Sequence, residues 1–279
     1  MPFWYDETWE GKTRYGCLVR ETLYSEKSEF QQIEILDTAH YGPVLVLDGI
    51  FMTSAREEHF YHEMLVQPAM AVAPRVANVL IIGGGDGGTA REVLRHPEVE
   101  RVTLVEIDAK VIEASKRFLP MIGTAWDDPR LELIVGDGIA YVGREDLQLF
   151  DVILLDGCDP VGPSAGLFDL AFYQSCAARL AGDGVFATQT ESPILLREVF
   201  LDIQRTLRQA FGRVTPYFGP APLYASDQWS WTICSAGVDP LAIHEERAAR
   251  VEPAMKYYNR EIHRAAFALS QDLKRALDD

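Results

Sequence analysis

Residues Asn78 to Leu94 read NVLIIGGGDGGTAREVL, and this stretch decides the fold. Asn78 to Ile82 is a short apolar strand pattern, and Thr89 to Leu94 begins a helical one. Between them Gly83, Gly85 and Gly88 have the G-x-G-x-x-G spacing of a dinucleotide turn. In such a turn, backbone N–H groups and a helix N-terminus receive an anion. Here the loop carries its own anion, Asp86, which would repel a pyrophosphate. The same turn suits a nucleoside ligand that bears a positive charge and no phosphate, such as an S-adenosyl sulfonium compound. A nicotinamide oxidoreductase is disfavoured by the same aspartate.

On the C-terminal side of this stretch, strand and helix patterns alternate. Strands are expected at Val79–Ile82, Val102–Val105, Leu131–Val135, Val152–Leu155, Val185–Gln189 and Trp229–Cys234, with helices at Ala109–Leu119, Ala171–Leu180 and Leu195–Phe211. That alternation predicts a parallel, doubly wound sheet of Rossmann type. On the N-terminal side the chain reads as β structure, with strands at Tyr15–Tyr24, Phe30–Leu36 and Val44–Leu47 and turns at Tyr41-Gly42-Pro43 and Asp48-Gly49. A helical pattern follows from Arg56 to Val72, with Phe60, Met64, Leu65 and Met70 near one face. The expectation is an N-terminal β domain over 1–55 and an α/β domain over 56–279.

In doubly wound sheets ligands bind beyond the carboxyl ends of the strands, at the point where strand order reverses. Four successive predicted strands end in acid: Asp86 after the first, Glu106 and Asp108 at the second, Asp137-Gly138 at the third, Asp156 and Asp159 at the fourth. Glu106 follows Gly88 by 18 positions, about the offset at which a carboxylate holds a ribose diol. Asp137-Gly138 is placed to hold an adenine amino group. Asp86, Asp156 and Asp159 remain, a negative set that a polyvalent cation would fill.

The 279 residues include 26 Lys plus Arg against 42 Asp plus Glu, a formal charge of −16. That balance disfavours nucleic acid and anionic membrane surfaces as partners. The four cysteines (Cys17, Cys158, Cys176 and Cys234) form no C-x-x-C pair, as expected of reduced thiols rather than a disulfide frame or zinc site. The opening MPFWYDETWEGK lacks the basic and apolar regions of a signal peptide. A cytoplasmic location is the expectation. His59 and His62 lie three apart on the first helix, but no matching third ligand is legible, so no metal is expected. His59 is read as a surface residue, and Trp229 and Trp231 as core or pocket rim.

Several segments together resemble the polyamine aminopropyltransferases, the spermidine synthases. They are Leu45–Gly49 (LVLDG), Glu58–Leu65 (EHFYHEML), Ile81–Glu92 (IIGGGDGGTARE), Leu104–Asp108 (LVEID), Gly136–Gly138 (GDG), Asp151–Phe168 (DVILLDGCDPVGPSAGLF) and Tyr257–Leu269 (YYNREIHRAAFAL). The resemblance implies a small N-terminal β domain, serving as substrate lid and oligomer contact, joined to a methyltransferase-like α/β domain. It implies transfer of an aminopropyl group from decarboxylated S-adenosylmethionine, a co-substrate rather than a cofactor, to putrescine. Spermidine and methylthioadenosine are the products, and a homodimer or homotetramer is the implied assembly. By position, Gln31, Glu106, Asp137, Gly138 and Pro163 would hold the adenosyl part. Asp86 would take the donor's propyl ammonium, Asp156 would accept the proton, and Asp159 would help bind the amine. Tyr61, His62 and Tyr224 would line the amine channel, to which Asp86 and Asp156 also belong. Met52, Leu223 and the pair Gly157-Cys158 depart from the family's common pattern, which leaves the choice among putrescine, cadaverine, agmatine and spermidine open.

The implied chemistry is an in-line displacement of a neutral thioether by a neutral amine. A free amine is mostly protonated at pH 7, a cost of roughly 4–5 kcal/mol. A ring of carboxylates increases that cost by favouring the ammonium, so the acids cannot all play one part. An S-adenosylmethionine-dependent diamine N-methyltransferase is the alternative enzyme, and a non-catalytic polyamine-binding protein the alternative of another class. Asp86 disfavours the first, because a carboxylate there tolerates a donor carboxylate poorly.

Overall fold

In the computed structural model, residues 1–9, 11–160, 162–226 and 228–278 are described, with the side chains of Gly162 and Pro163 excepted. Two sheets organise the chain. The first is antiparallel, in the order β1 (Phe3–Trp9), β2 (Thr13–Lys27), β3 (Gln32–Thr38), β4 (Gly42–Leu47) and β5 (Ile50–Ser54). The turn between β4 and β5 is built by Asp48 and Gly49, both at positive φ (48° and 90°), as a two-residue hairpin requires.

Helix α1 (Glu58–Val72) then leads to the second sheet. Its elements are β6 (Asn78–Gly83), α2 (Gly88–Leu94), β7 (Arg101–Glu106), α3 (Ala109–Phe118), β8 (Leu131–Val135), α4 (Gly138–Val142) and β9 (Phe150–Asp156). A 3-10 turn over Gly162–Phe168 precedes α5 (Leu170–Arg179), β10 (Leu180–Gln189), α6 (Arg197–Ala210), β11 (Arg213–Pro220) and β12 (Gln228–Ser235). The chain closes with α7 (Glu245–Val251), α8 (Arg260–Ala266) and α9 (Gln271–Asp278).

The strand order is β11-β12-β10-β9-β6-β7-β8. The chain winds from β6 outward through β7 to β8, then returns to β9 on the other side of β6. The reversal therefore lies between β6 and β9, at the glycine loop. Six of these seven strands coincide with predicted ones. The sheet is not wholly parallel, however: β12 runs antiparallel to both β10 and β11. Residue periodicity reports a strand but not its direction; the short β11–β12 link sets that direction, because only antiparallel neighbours close over so few residues. Strand β11 escapes the sequence pattern because Pro216, Gly219 and Pro220 interrupt it, and it is tolerated because it lies at the sheet edge.

Helix α1 is more deeply placed than its one-face pattern suggests: every residue from His62 to Val72 is buried. The C-terminal segment holds it there. Arg247 in α7 donates to the carbonyls of Met70 (2.8 Å) and Ala73 (2.6 Å), taking up acceptors that the helix end leaves open. Glu63 in turn accepts the backbone N–H groups of Lys256, Tyr257 and Tyr258 at 2.7–2.9 Å. Thus the closing stretch of the chain fixes the helix that carries Tyr61 and His62. No helix among the described residues is long and apolar enough to cross a membrane.

Candidate active site

The loop after β6 has its shape because three of its glycines lie at positive φ: Gly83 (82°), Gly84 (72°) and Gly87 (80°). It threads close neighbours. A Cβ on Gly87 would lie 2.4 Å from the Trp126 ring, and one on Gly88 would lie 2.3 Å from His62. Asp86 Oδ1 accepts the Gly88 N–H (2.8 Å), at the start of α2. The aspartate itself thus occupies the helix N-terminus that a phosphate would take in a dinucleotide site. Its other oxygen, Oδ2, lies 3.2 Å from His62 Nε2.

The other strand-end acids converge on the same cleft. Glu106, buried at the end of β7, accepts from Gly85 N–H (3.1 Å) and Asp108 N–H (2.9 Å), and burial pushes its carboxyl up to about 7. Asp108 caps α3 through Lys110 N–H (3.0 Å) and accepts from Ser28 Oγ (2.6 Å) and Gln31 Nε2 (3.1 Å), which tethers the first sheet to the second. Asp137 caps α4, accepting from Ile139 N–H at 2.8 Å. Asp156 accepts from Thr89 Oγ1 (2.7 Å) and hydrogen-bonds Tyr61; burial first, then the nearby Asp86, raises its carboxyl above the usual range.

Gln31, Tyr61, His62, Asp86, Glu106, Asp137, Gly138, Asp156 and Tyr224 all line one cleft between the two sheets. Counted to its open mouth, and with the solvent space there included, it holds about 960 Å³ of empty space. Pro163 falls outside the described side chains. Asp159 lies not in this cleft but in an adjoining pocket with Trp9, Gln189 and Trp229; Tyr61, Met52, Cys158 and Tyr224 border both. One further expectation is corrected. His59 is half-buried with its ring on Phe60 (4.4 Å) rather than at the surface, because α1 is covered by the C-terminal segment. Tyr224 donates its hydroxyl proton to the Met52 carbonyl (2.8 Å), so towards a ligand its oxygen acts as an acceptor.

Sequence reading missed two acids of the adjoining region. Glu191, fully buried and at positive φ (66°), faces Asp159; Gln189 Nε2 donates to its Oε1 (3.2 Å). The rule that found the other acids would have found it, since it follows the fifth strand, β10. Glu7, on β1, accepts from Phe51 N–H (2.6 Å) and the Trp9 indole, and burial pushes it up to about 7. Nothing local marks Glu7. Asp159 is pushed up to about 6 by burial. Cys158 is pushed far up by burial and the surrounding acids, which leaves its thiol a poor nucleophile.

One ligand-capable atom from each of His62, Asp86 and Asp156 lies within 4.8 Å of the others. Both nitrogens of His62 face carboxylates, at 2.7 Å (Glu58) and 3.2 Å (Asp86), so neither has a lone pair directed at an ion. The trio is an ion cluster. It lies in a cleft that Tyr61, Met52, Cys158 and Tyr224 share with the aromatic-walled pocket of Asp159, a combination that suits an alkyl cation.

Comparison with known proteins agrees with that chemistry. Residues 3–55 match the spermidine synthase tetramerisation domain, and residues 58–241 match the spermine/spermidine synthase domain. The chain belongs to the spermine/spermidine synthase family. Curated relatives are polyamine aminopropyltransferases, such as that of Desulforudis audaxviator (43% identical over 273 residues, 98% of each chain) and that of Bacillus subtilis (41% over 266 residues, 95% of each). A crystal structure of a spermidine synthase in complex with the transition-state analogue AdoDATO superposes with TM-score 0.95 at 39% identity, covering 100% of this chain and 97% of the other. The spermidine synthase of Thermotoga maritima gives 0.92 at 38%, with coverage of 100% and 96%. The small antiparallel sheet and the methyltransferase-like α/β domain are those of the family.

Proposed function

We propose that this chain transfers the aminopropyl group of decarboxylated S-adenosylmethionine to putrescine, giving spermidine and methylthioadenosine. The observation that carries the reading is the convergence of Asp86, Glu106, Asp137 and Asp156 on one cleft that adjoins the pocket of Asp159. Gln31, Glu106, Asp137, Gly138 and Pro163 hold the adenosyl part, and Asp86 takes the donor's ammonium. Asp156 accepts the proton of the attacking amine, with Tyr61 hydrogen-bonded to it. Asp159, with Glu191 and Glu7 behind it, draws the far ammonium of the acceptor, and Tyr224 and His62 border the amine path. The donor is a co-substrate, and no cofactor takes part. Residues 1–55 serve as lid and as the contact of a homodimer or homotetramer, residues 56–279 form the catalytic unit, and the enzyme works in the cytoplasm. The names of the relatives favour aminopropyl over methyl transfer.

An end-point assay by mass spectrometry tests this. Purified protein is given decarboxylated or intact S-adenosylmethionine with putrescine, cadaverine, agmatine or spermidine. The expected result is methylthioadenosine plus an amine heavier by one aminopropyl unit, from the decarboxylated donor only. Methylated amine from the intact donor would instead move the chain to the methyltransferases.

The raised acids add a pH signature. With Glu7 at about 7 and Asp159 at about 6, the empty enzyme holds protons there at pH 6.5. A bound dication favours the ionised carboxylates and expels those protons. Titration calorimetry with putrescine in two buffers of different ionisation enthalpy should show net proton release at pH 6.5 and little at pH 8.5. Proton uptake, or equal exchange at both pH values, would contradict the placement of the amine beside these acids.

A further inference from the structure

Behind the ion cluster lies a chain of buried charges that the reaction as described does not use. Glu58 and His62 sit one turn apart on α1, and α2 brings Arg91 against them. Arg91 Nη1 donates to Glu58 Oε1 (3.0 Å) and Nη2 to Glu58 Oε2 (2.8 Å), a bidentate pair. His62 Nδ1 meets the same Glu58 Oε2 at 2.7 Å, and His62 Nε2 meets Asp86 Oδ2 at 3.2 Å. No side chain of the four is more than 10% exposed.

The geometry settles the protonation of His62. A neutral imidazole has one N–H and one acceptor nitrogen. Here both nitrogens face carboxylate oxygens. Glu58 is fixed as a carboxylate by Arg91, and against the effect of burial, His62 and the Gly88 N–H hold the Asp86 carboxyl below its usual range, so two carboxylates face the ring. The ring packs directly on Gly88, where a Cβ would lie 2.3 Å from it.

The groups facing His62 are Glu58 and Tyr61 from α1, Asp86 from the glycine loop and Asp156 from the end of β9. Arg91 reaches it through Glu58. Two carboxylates and one imidazolium leave the reacting centre at −1. The ammonium on a bound donor brings it to neutrality, and the donor's sulfonium adds one further positive charge, which favours loss of the acceptor amine's proton. Without the imidazolium the same two carboxylates would stand at −2 and would hold the attacking amine as its unreactive ammonium.

We propose that Arg91 and Glu58 are positioning residues that keep His62 a cation, and that His62 sets the charge of the reacting centre so that a single donor ammonium completes it and the acceptor amine is free to lose its proton to Asp156. The pKa directions agree: burial alone would lower His62, but Asp86 and Glu58 raise it well above its ordinary range. Its catalytic consequence rests on the aminopropyl-transfer reading; the charge state of His62 does not.

Nitrogen-15 NMR of histidine-labelled, ligand-free enzyme reads that state directly, with the His62 resonances assigned by their loss in His62→Asn. Wild-type His62 should be doubly protonated at pH 8. A neutral His62 at pH 7 overturns the proposal whatever the activity. Glu58→Gln should lower the His62 midpoint and move the alkaline limb of the kcat profile down with it, by about one pH unit for each tenfold weakening of the pair. It should lower kcat at pH 8 about tenfold or more, because the acceptor amine is then held as its ammonium, while the Kd of methylthioadenosine, which has no ammonium, stays within about threefold. Glu58→Asp should restore most of the profile. A weakened Kd of methylthioadenosine with an unmoved pH profile would mark Glu58 as structural only and overturn its assigned role. If wild-type enzyme transfers no aminopropyl group, the functional reading fails while the NMR result still decides the charge of His62.

Discussion

Asp156→Asn should lower kcat by roughly 10²–10⁴-fold, the usual contribution of a general base, while leaving the fold intact. Asparagine has the same shape, and its carbonyl oxygen can still accept from Thr89 Oγ1, which donates to Asp156 Oδ2 at 2.7 Å. What it lacks is basicity. Asp156 is suited to take a proton because burial and the neighbouring Asp86 raise its carboxyl above the usual range, which strengthens it as a base. The check is steady-state turnover at pH 8 with both substrates saturating, with thermal melting as the folding control. Near-normal turnover in a well-folded Asp156→Asn enzyme would remove Asp156 from the role of proton acceptor.

Gly83→Ala should destabilise the protein by about 3 kcal/mol or more, or prevent folding, from backbone strain of ~1–2 kcal/mol together with ~1–3 kcal/mol of overpacking. Gly83 stands at φ 82°, and a Cβ built there would lie 2.1 Å from the Asp156 carbonyl oxygen. That oxygen cannot step aside. It accepts the Gly84 N–H at 3.0 Å, and Gly83 and Asp156 are register partners across β6 and β9. Any relief would move Asp156, so a folded fraction should also lose activity. Chemical denaturation against wild type measures the cost. Gly182→Ala is the companion control, because a Cβ there meets nothing within 4 Å; it should change stability by less than about 0.5 kcal/mol. Wild-type stability in Gly83→Ala would mean that β6 and β9 are not in such close approach.

Both predictions concern the junction of β6 and β9, which was legible in the sequence. A short apolar run, three correctly spaced glycines and acids after successive strands are local signals, each carried by a few adjacent residues. From them came the reversal point, the cleft and the placement of Asp86, Glu106, Asp137 and Asp156 around it. The rest of the site is less local. Asp159 was read with those four, but only the packing of β1, β5 and the loop after β10 against it makes a separate pocket. Glu191 carries the same strand-end signal as the others, two residues beyond the predicted strand Val185–Gln189.

By itself, then, the sequence determined the family, the α/β class and the line of carboxylates, because periodicity and strand-end chemistry act over a few residues. The tertiary structure alone decided the antiparallel run of β12, the burial of Glu7 and the covering of α1 by the chain's last third. It alone also brought Arg91, Glu58 and His62 into line behind Asp86. Those outcomes depend on contacts between residues as far as 195 positions apart, where the charge of one side chain is set by neighbours that no local pattern announces.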